Sequence, residues 1–430
     1  MQKNTGKPSH WIKLDNAANI YPAARSRNWT ALFRLSAELT EAVDPIILKE
    51  AQRITLTRFP GFSYRLRAGM FWHYFEHIDD MPEIQKDVAN PCVRMNLNEN
   101  GGFMFRVRYH EKRIAVEIFH VVTDGTGGLS FLATLVAEYL KLKYGICIPS
   151  TDIIMDVAEP PEQSELEDSF MRYSRAASAS RKEDAAYRIR GTAAEPHFLN
   201  IVTGLMPTDI VSKRAKEHGG SITELLTAVL ILSIRQIQQQ EMSKKRRNQP
   251  IKICVPVNLR RFYPTNTKRN FASFINPGIQ PAYGEYTLDE TIQAVRHFMG
   301  LEGTEKKLNA RMSTNVMSML NPVIRLVPLV LKRQALRIAF KLNGDRTSSS
   351  TLSNLGPQNF PEPMNNYVTR MDLMLGSLKY NPVTCACVSY NNLLTVNFTR
   401  TIQESSVERN FFTQLVKLDI PVEIESNRKS

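Results

Sequence analysis

The sequence lacks long hydrophobic segments. A membrane-spanning helix requires about 20 consecutive apolar residues, whereas the longest apolar segment here, 225–234, is bounded by Glu224 and Arg235. The first eight residues, MQKNTGKP, contain no apolar stretch of the kind found in a secretory signal peptide. We therefore expect neither a transmembrane helix nor a signal peptide.

Cysteine is also scarce, since the 430 residues contain five cysteines and no Cys-x-x-Cys pair. This excludes a disulfide-dense secreted scaffold and favours a reducing, cytoplasmic compartment. Cys385 and Cys387 lie in a strand-like segment, where alternate residues face the same side, and we expect them to pack in a core. The Gly-x-Ser-x-Gly pattern is absent, so a serine-hydrolase nucleophile is not indicated.

The composition that remains is that of a globular protein, with 43% hydrophobic and 23% charged residues. A chain of this length should form two or more domain-sized units with cores of their own. The formal net charge of +13 indicates an anionic partner. That partner is a phosphate-bearing cosubstrate, an acidic carrier protein, a membrane surface or a nucleic acid, and the charge alone does not choose among them.

Changes in composition divide the chain into three segments. Residues 1–150 alternate strand-like and helix-like patterns and form a first predicted subdomain. Residues 151–195 are acidic with a Pro-Pro pair and then rich in Ala, Ser, Arg and Lys, so we interpret them as an interdomain crossover with some helix but no core. Residues 196–430 form a second predicted subdomain.

Two Ser-x-x-Glu patterns predict helix starts in the second subdomain. Ser221 and Glu224 form a capping-box pattern ahead of a long apolar helix. Ser405 and Glu408 form the same pattern ahead of a last helix near the C-terminus. In a capping box the serine and glutamate side chains each accept a hydrogen bond from the other residue's backbone N–H.

One segment combines the features of a catalytic site. Residues 114–118 alternate in the way typical of a strand with one buried face, and the strand pattern ends at His120. Asp124-Gly125 is a turn signal, and apolar residues then recur at helical spacing over 129–144. A histidine at a strand end has rigid support, and its ordinary pKa of about 6.5 suits it to take a proton at neutral pH.

The pattern His120-x-x-x-Asp124-Gly125 resembles a signature of the acyltransferase superfamily that uses CoA or carrier proteins. That superfamily includes chloramphenicol acetyltransferase, alcohol acetyltransferases, wax ester synthases and peptide-synthetase condensation domains. Downstream, the segment 351–357 (Thr-Leu-Ser-Asn-Leu-Gly-Pro) looks like the Ser-Asn-x-Gly block of alcohol acetyltransferases. The segment 256–260 (Pro-Val-Asn-Leu-Arg) is similar to the Pro-Val-x-x-Arg block of the superfamily.

The resemblance covers most of the chain, including its start at 13–22, and implies an α/β fold of the α+β type. Two chloramphenicol-acetyltransferase-like subdomains, with mixed or antiparallel sheets and helices, would enclose an active-site tunnel between them. The implied reaction is transfer of an acyl group from acyl-CoA to an alcohol in a ternary complex. Because a thioester is already activated, the enzyme needs only a base, donors for the oxyanion and correct positioning of both substrates.

The resemblance also assigns roles to the residues of the motif. His120 is the expected general base. Asp124 is expected to fold the turn through an ion pair with an arginine, for which Arg260 is the candidate, and not to act as a second base. Gly125 would let the chain turn tightly beneath the acyl group.

Further substrate contacts and partners follow from the same resemblance. Ser353 and Asn354 supply hydroxyl and amide donors for the oxyanion or the substrate. We expect acyl-CoA as a co-substrate, with no bound cofactor, and a small or lipid alcohol or amine as acceptor. A carrier protein as donor and a peripheral membrane contact stay open, and no nucleic acid is expected.

Two other functions would use the same architecture. A carrier-protein-dependent condensation enzyme would share His120, but condensation domains usually carry a second histidine where this chain has Phe119. A non-catalytic binding or scaffold protein of this fold would not need the intact motif.

Two rival motifs predict other chemistry. His73-x-x-Glu76-His77 fits a zinc pattern that requires a helix, whereas the alternating aromatic residues here predict a strand, so no metal site is expected. The pair Gly125-Thr-Gly127 has Ser130 in place of the third glycine of a dinucleotide fingerprint.

Two basic segments admit two interpretations each. Lys244–Arg247 is either a solvated loop or a contact for CoA phosphates or an acidic carrier protein. Residues 321–342 predict an amphipathic helix pair broken by Pro328, with a membrane-surface or lipid-acceptor face as the alternative.

Overall fold

The computed structural model describes residues 9–24, 29–98, 100–175, 183–195, 198–343, 345–378 and 380–428. The strands, in chain order, are β1 (Trp11–Lys13), β2 (Leu32–Leu39), β3 (Tyr64–Ala68), β4 (His73–His77), β5 (Gln85–Lys86), β6 (Phe105–His110), β7 (Arg113–Phe119), β8 (Asn200–Pro207), β9 (Ile251–Asn258), β10 (Ala272–Ile275), β11 (Gly278–Ile279), β12 (Ser350–Gln358), β13 (Val368–Leu375), β14 (Val383–Tyr390), β15 (Leu393–Arg400) and β16 (Glu423–Ser426). The helices are α1 (Ile20–Ala24), α2 (Pro45–Arg58), α3 (Gly125–Tyr144), α4 (Ser169–Tyr173), α5 (Thr208–Glu217), α6 (Ile222–Gln238), α7 (Lys244–Arg247), α8 (Leu288–Glu302), α9 (Glu305–Leu320), α10 (Pro322–Leu326), α11 (Leu329–Asn343), α12 (Glu362–Asn365) and α13 (Ser406–Lys417).

These elements form three sheets flanked by helices. One sheet has the order β13-β2-β7-β6-β5, a second has the order β10-β9-β12-β14-β15-β8-β16 with β11 beside β9, and a small third has the order β1-β4-β3. In the second sheet β12 is parallel to both β9 and β14, whereas the other pairs are antiparallel, so the sheet is mixed. The predicted fold class is confirmed.

The first sheet supports the histidine motif. Strand β7 lies in its centre between β2 and β6, and every residue from Ile114 to Phe119 is buried. Helix α3 packs on this sheet and against α2, and its residues 127–140 are all buried. The motif therefore lies at the junction of two buried elements, which restricts its movement.

The two halves of the chain are interleaved. Strand β13, from the segment 196–430, pairs with β2 in the sheet of the first half. Strand β14 contributes to both cores, because Cys385 and Cys387 pack in the second core while Ala386 and Val388 pack in the first. The core positions predicted for the two cysteines are confirmed.

Of the two predicted capping boxes, one is present. Ser221 Oγ accepts from Glu224 N at 3.4 Å, and Glu224 Oε2 accepts from Ser221 N at 2.7 Å. The second prediction is wrong, because Ser405 makes no side-chain cap to α13. Glu408 forms instead a buried ion pair of 2.5 Å with Arg400 of the neighbouring strand.

The crossover 151–195 is more buried than its composition suggested. Glu165 forms an ion pair of 2.5 Å with Arg58 of α2, and both side chains are buried. Phe170 and Tyr187 pack in the second core. The expectation that this segment contains no core residues is therefore wrong for these positions, while residues 176–182 lie outside the described residues.

Other local predictions had mixed outcomes. His73 and His77 lie on strand β4, where Glu76 pairs with Arg65 and Arg67. Within the described ranges no group of His, Cys, Asp and Glu could hold a metal ion.

Residues 244–247 form the short helix α7 rather than a loop.

Among the helices of the described residues, none alone is long and apolar enough to cross a bilayer. Helices α5 and α6 reach that length and apolar composition only together, and they are bent by 77° relative to each other. Since α6 contributes most of its apolar residues to the second core, the pair is explained as core structure.

Candidate active site

His120 follows β7 directly and is held from three sides. Its backbone N–H donates to Ala31 O at 2.9 Å, which anchors it to the start of β2. The Tyr21 ring of α1 stacks on the imidazole at a centroid distance of 4.8 Å and an angle of 20°. The Phe33 ring lies at 5.1 Å on β2. His120 as a residue is half-buried, and these three contacts fix the orientation of its ring.

A hydrogen-bond chain fixes which ring nitrogen carries the proton. His120 Nδ1 lies 3.0 Å from Asn270 Oδ1, and Asn270 Nδ2 donates to Asp15 Oδ2 at 3.3 Å. Asp15 is fully buried and also accepts from Ala18 N at 2.6 Å and pairs with Arg269 at 3.5 Å. Burial raises the pKa of Asp15, an effect that the charge of Arg269 and the Ala18 N–H oppose. In its ionised form Asp15 can only accept, so it binds the amide NH₂ and the amide oxygen faces the imidazole.

The imidazole therefore donates from Nδ1 and keeps its lone pair on Nε2. Nε2 is then the atom that can take a proton. Burial lowers the pKa of His120, while Asp124 and the hydrogen bond to Asn270 oppose this shift and Asp15 opposes it further. The net direction is downward, so the imidazole is neutral at neutral pH, as a general base must be.

Asp124 is the N-cap of α3 and the centre of a second network. Its Oδ1 accepts from Thr126 N at 3.1 Å and from Gly127 N at 3.2 Å. Its Oδ2 accepts from Arg260 Nη1 at 2.7 Å and from Phe271 N at 2.8 Å. Burial alone would raise the pKa of Asp124, but Arg260 and these N–H donors outweigh it and lower the pKa. The predicted ion pair between Asp124 and Arg260 is confirmed.

Arg260 uses its remaining donors inside the protein. Its Nε and Nη2 donate to Thr267 O at 3.1 and 3.0 Å, and Nη2 also donates to Arg269 O at 2.6 Å. These bonds hold the backbone on either side of Lys268 in place, next to Asn270. Arg260 thus joins the Asp124 turn to the segment that orients His120, and a direct contact with substrate stays a prediction.

The glycines of the motif permit close packing around the turn. A Cβ on Gly125 would lie 2.9 Å from Leu355 Cδ2. A Cβ on Gly127 would lie 2.0 Å from Thr123 Oγ1 and 2.3 Å from Lys268 O. At Gly127 one of these atoms is a backbone carbonyl, so a Cβ there would require the backbone to move. At Gly125 the neighbour is the end of the flexible Leu355 side chain, which would have to shift. The contact with Leu355 also places the 351–357 block beside the motif.

Ser353 and Asn354 lie on β12, in the centre of the second sheet. Asn354 Nδ2 donates to Thr223 Oγ1 at 2.9 Å, and its Oδ1 accepts from Gly356 N at 2.7 Å. The register of β12 against β14 shifts between Asn354 and Pro357. The Asn354 amide ties this irregular part of β12 to the start of α6. Ser353 is half-buried. Contacts from these two residues to an oxyanion or substrate stay predictions.

A cavity of about 760 Å³ lies where the first sheet, the crossover and the second half of the chain meet. Its wall includes Thr30, the residue before Ala31, whose carbonyl binds the His120 backbone. Thr30 Oγ1 is buried and has no hydrogen-bond partner among the described residues. The described residues that line the cavity also include four arginines and one carboxylate, namely Arg94, Arg188, Arg190, Arg246 and Glu195. Its lining is therefore cationic.

Sequence reasoning did not find Asn270, Asp15 or Tyr21. Asp15 and Tyr21 lie within the 13–22 start that resembles the superfamily, but no local pattern distinguishes them from their neighbours. Asn270 contacts His120 across 150 positions of sequence. A single sequence carries no signal for such a pairing, because the contact depends on how the two halves pack.

No protein-family model matches the chain, and the comparison with curated protein sequences gave no match. Solved structures, by contrast, match over nearly its whole length. Trichothecene 15-O-acetyltransferase (TRI3) from Fusarium sporotrichioides is 13% identical with a TM-score of 0.60, covering 97% of this chain and 96% of that one. The F. sporotrichioides protein TRI101, solved with coenzyme A and T-2, is 11% identical with a TM-score of 0.62, covering 98% and 100%.

A third similar structure is the first condensation domain of the calcium-dependent antibiotic synthetase. It is 13% identical with a TM-score of 0.59, and the match covers 96% of this chain and 99% of that domain. At such identities the likeness concerns the fold, which agrees with the resemblance of the motifs. The chain has the two-subdomain fold of the trichothecene acetyltransferase TRI3, of TRI101 and of this condensation domain.

Proposed function

We propose that this protein transfers an acyl group, acetyl in the simplest case, from acyl-CoA to an alcohol acceptor. The observation that carries the proposal is the orientation of His120. Asn270 holds the proton on Nδ1, which leaves Nε2 as a base at the end of a buried strand in an acyltransferase fold. The alternative of a pure binding protein gives no reason for this arrangement.

The reaction needs one proton acceptor and no covalent enzyme intermediate. His120 Nε2 takes the proton of the acceptor hydroxyl while the oxygen attacks the thioester carbonyl carbon. The tetrahedral intermediate then collapses, the C–S bond breaks, and the proton on Nε2 passes to the departing thiolate of CoA. Ser353 is the proposed donor to the oxyanion, since the amide of Asn354 is used within the protein.

The cationic cavity supports a phosphate-bearing donor. Arg94 and Arg190 are exposed at its lining, and Arg188 lies with its guanidinium 4.5 Å from the centroid of the Tyr380 ring. Arg246, from the basic segment 244–247, also lines the cavity and pairs with Glu241 at 2.5 Å. Arginine binds phosphate oxygens through paired N–H donors. We propose that these side chains bind the phosphates of acyl-CoA.

The proposed activity is tested by thiol release from a ladder of acyl-CoAs against a panel of alcohols and amines. Acceptor-dependent release of CoA, with formation of the matching ester, is the expected result. If CoA is released only in the presence of amines, the acceptor is an amine and not an alcohol. No release with any pair would contradict the use of free acyl-CoA.

Carrier-bound donors are the second candidate, since condensation domains share the fold. The same assay with acyl carrier proteins in place of acyl-CoA separates the two. Turnover with a carrier-bound acyl group alone would favour condensation chemistry in spite of Phe119. Turnover with neither donor would favour a binding role.

Removing two cationic side chains from the cavity should specifically weaken the binding of acyl-CoA. We expect Arg94→Gln/Arg190→Gln to raise KM for acyl-CoA by about tenfold, because each charged contact contributes about 1 kcal/mol or less at an exposed site. KM for the acyl thioester of N-acetylcysteamine, which has no phosphates, should not change. The matched control is Lys244→Gln/Lys245→Gln, which removes two exposed cations that do not line the cavity. Equal effects of both pairs on both donors would contradict the assignment.

Removing the Asn270 acceptor should disturb the tautomer of His120. We expect Asn270→Leu, which keeps the volume, to lower kcat by about tenfold or more, the order of one lost hydrogen bond. KM for acyl-CoA should be nearly unchanged. Since the neutral imidazole is the active form, activity rises with pH through the pKa of His120. Burial already lowers that pKa, and loss of the Asn270 bond, which opposes the lowering, should move the acid limb to still lower pH. An unchanged pH profile with reduced thermal stability would assign Asn270 a purely structural part.

A further inference from the structure

The segment 306–344 differs from the rest of the chain in its charge. It contains eight Lys or Arg residues and no Asp or Glu. Three of its arginines, Arg325, Arg333 and Arg337, belong to helices α10 and α11, and none of the three is buried. These two helices thus present positive charge at the surface without acidic residues of their own.

The same helices expose large aliphatic side chains. Val323 and Leu326 of α10 and Val330, Leu331 and Ile338 of α11 are each between 59% and 74% exposed. Met70, in the turn between β3 and β4, is 75% exposed. The backbone N–H of Leu329 donates to Met70 O at 2.8 Å, so the turn and α11 are adjacent. These six residues, Met70, Val323, Leu326, Val330, Leu331 and Ile338, are called the apolar face below.

Helix α11 directs one lysine, Lys332, toward the protein interior. Lys332 is 5% exposed, and its Nζ donates to Phe71 O and Arg325 O, both at 3.1 Å. The ammonium also lies 3.4 Å from the centroid of the Trp72 ring. Helix α11 thus buries Leu329 and Lys332 on its inner side, while Val330, Leu331 and Ile338 stay exposed. The exposed side of a typical surface helix is polar instead. Lys332 fastens the helix, and the apolar side chains are left for a partner.

We propose that the apolar face docks on an anionic lipid bilayer. Aliphatic side chains that enter the acyl-chain boundary, surrounded by arginines that meet the headgroups, are the composition of an interfacial helix. A second copy of the chain fits less well, because two such faces would bring Arg325, Arg333 and Arg337 of each copy together. The net charge of +13 acts in the same direction, since it attracts the whole molecule to a negative surface.

One helix, α1, connects α11 with the candidate active site. Helix α11 packs against α1, and Tyr21 of α1 stacks on His120. If the proposed acyl transfer holds, docking would present the site to an acceptor alcohol that is dissolved in the membrane. Docking itself does not depend on that activity.

The test is sedimentation of the full chain with vesicles, measured without substrates. We expect binding to vesicles of equal parts phosphatidylglycerol and phosphatidylcholine, and little binding to phosphatidylcholine alone. Replacing Val323, Leu326, Val330 and Leu331 by serine should weaken binding at least about tenfold, as should Arg325→Gln/Arg333→Gln/Arg337→Gln. The control is Ile46→Ser/Met242→Ser, which removes two highly exposed apolar side chains on other elements.

Sedimentation velocity on the same proteins tests whether another copy covers the face. A concentration-dependent dimer that the four-serine variant loses would overturn the proposal in favour of self-association. Failure of the wild type to sediment with anionic vesicles would also overturn it, as would equal loss in the control variant. None of these outcomes bears on acyl transfer to soluble alcohols, so the two proposals fail separately.

Discussion

Replacing His120 by alanine should lower kcat/KM for acyl transfer by about 10²- to 10⁴-fold, the usual contribution of a positioned general base. In the proposed mechanism Nε2 of His120 is the proton acceptor, and the Asn270–Asp15 chain orients its ring. Thermal unfolding should change little, since the imidazole is half-buried and its backbone bond to Ala31 is kept. Turnover of each variant and its melting temperature are measured on the same preparation.

Two further variants make this result specific. His120→Gln keeps a polar side chain next to Asn270 but cannot take a proton at neutral pH, so it should be as inactive as the alanine variant. His73→Ala removes another half-buried histidine, on β4 of the third sheet, and should leave kcat unchanged. Near-full turnover in His120→Ala or His120→Gln would refute the mechanism, whatever the state of the fold.

The motif region could be predicted from the sequence because its signals are local. The strand before His120, the turn at Asp124-Gly125 and the buried helix after it each have a short-range pattern that the structure reproduces. The pairing of Asp124 with Arg260 was predictable only through the resemblance, since 136 positions separate the two residues. The chain His120–Asn270–Asp15 has no local signal and could not be predicted.

The sequence predictions that were wrong or incomplete concern residues whose contacts are set by other elements of the fold. The Glu408 side chain does not reach back to Ser405 because it pairs with Arg400 of the preceding strand. Ser405 itself has a ψ of 21°, outside the extended backbone geometry of an N-cap residue. Glu165 is polar in sequence but buried, because Arg58 of another element neutralises it. For α11 the periodicity predicted two faces, but which face is buried is decided by the contacts of Lys332 with Trp72 and the turn beside it.

Breaking the pair between Asp124 and Arg260 should have the largest effect on stability. In Asp124→Asn the NH₂ group would meet N–H donors of Thr126, Gly127, Phe271 or Arg260, and the guanidinium would lose its counter-charge. Loss of one partner of a buried pair costs about 3–5 kcal/mol. We expect Asp124→Asn and Arg260→Leu each to lower the free energy of unfolding by that order. The double variant should lose clearly less than the sum, which a double-mutant cycle measures.

The same pair predicts an acid dependence of stability. The pKa of Asp124 is lowered in the folded protein, so its contribution is fully present above the unfolded-state pKa of about 3.9. That contribution is lost as the pH falls through the lower folded-state pKa. The wild type should therefore lose melting temperature more steeply than Asp124→Asn over this acid range. Parallel curves would mean that Asp124 does not carry a stabilising charge.

Measurements of kcat and stability then distinguish the roles of His120 and Asp124. Asp124 touches the backbone of α3 and Arg260 rather than the imidazole, so its loss should lower kcat together with stability. His120→Ala should lower kcat alone. If Asp124→Asn kept the wild-type melting temperature and still lost turnover by about 10²-fold or more, Asp124 would have to act in the proton transfer itself. A correlated loss of both quantities, with less than additive effects in the double variant, would instead assign it the folding of the turn.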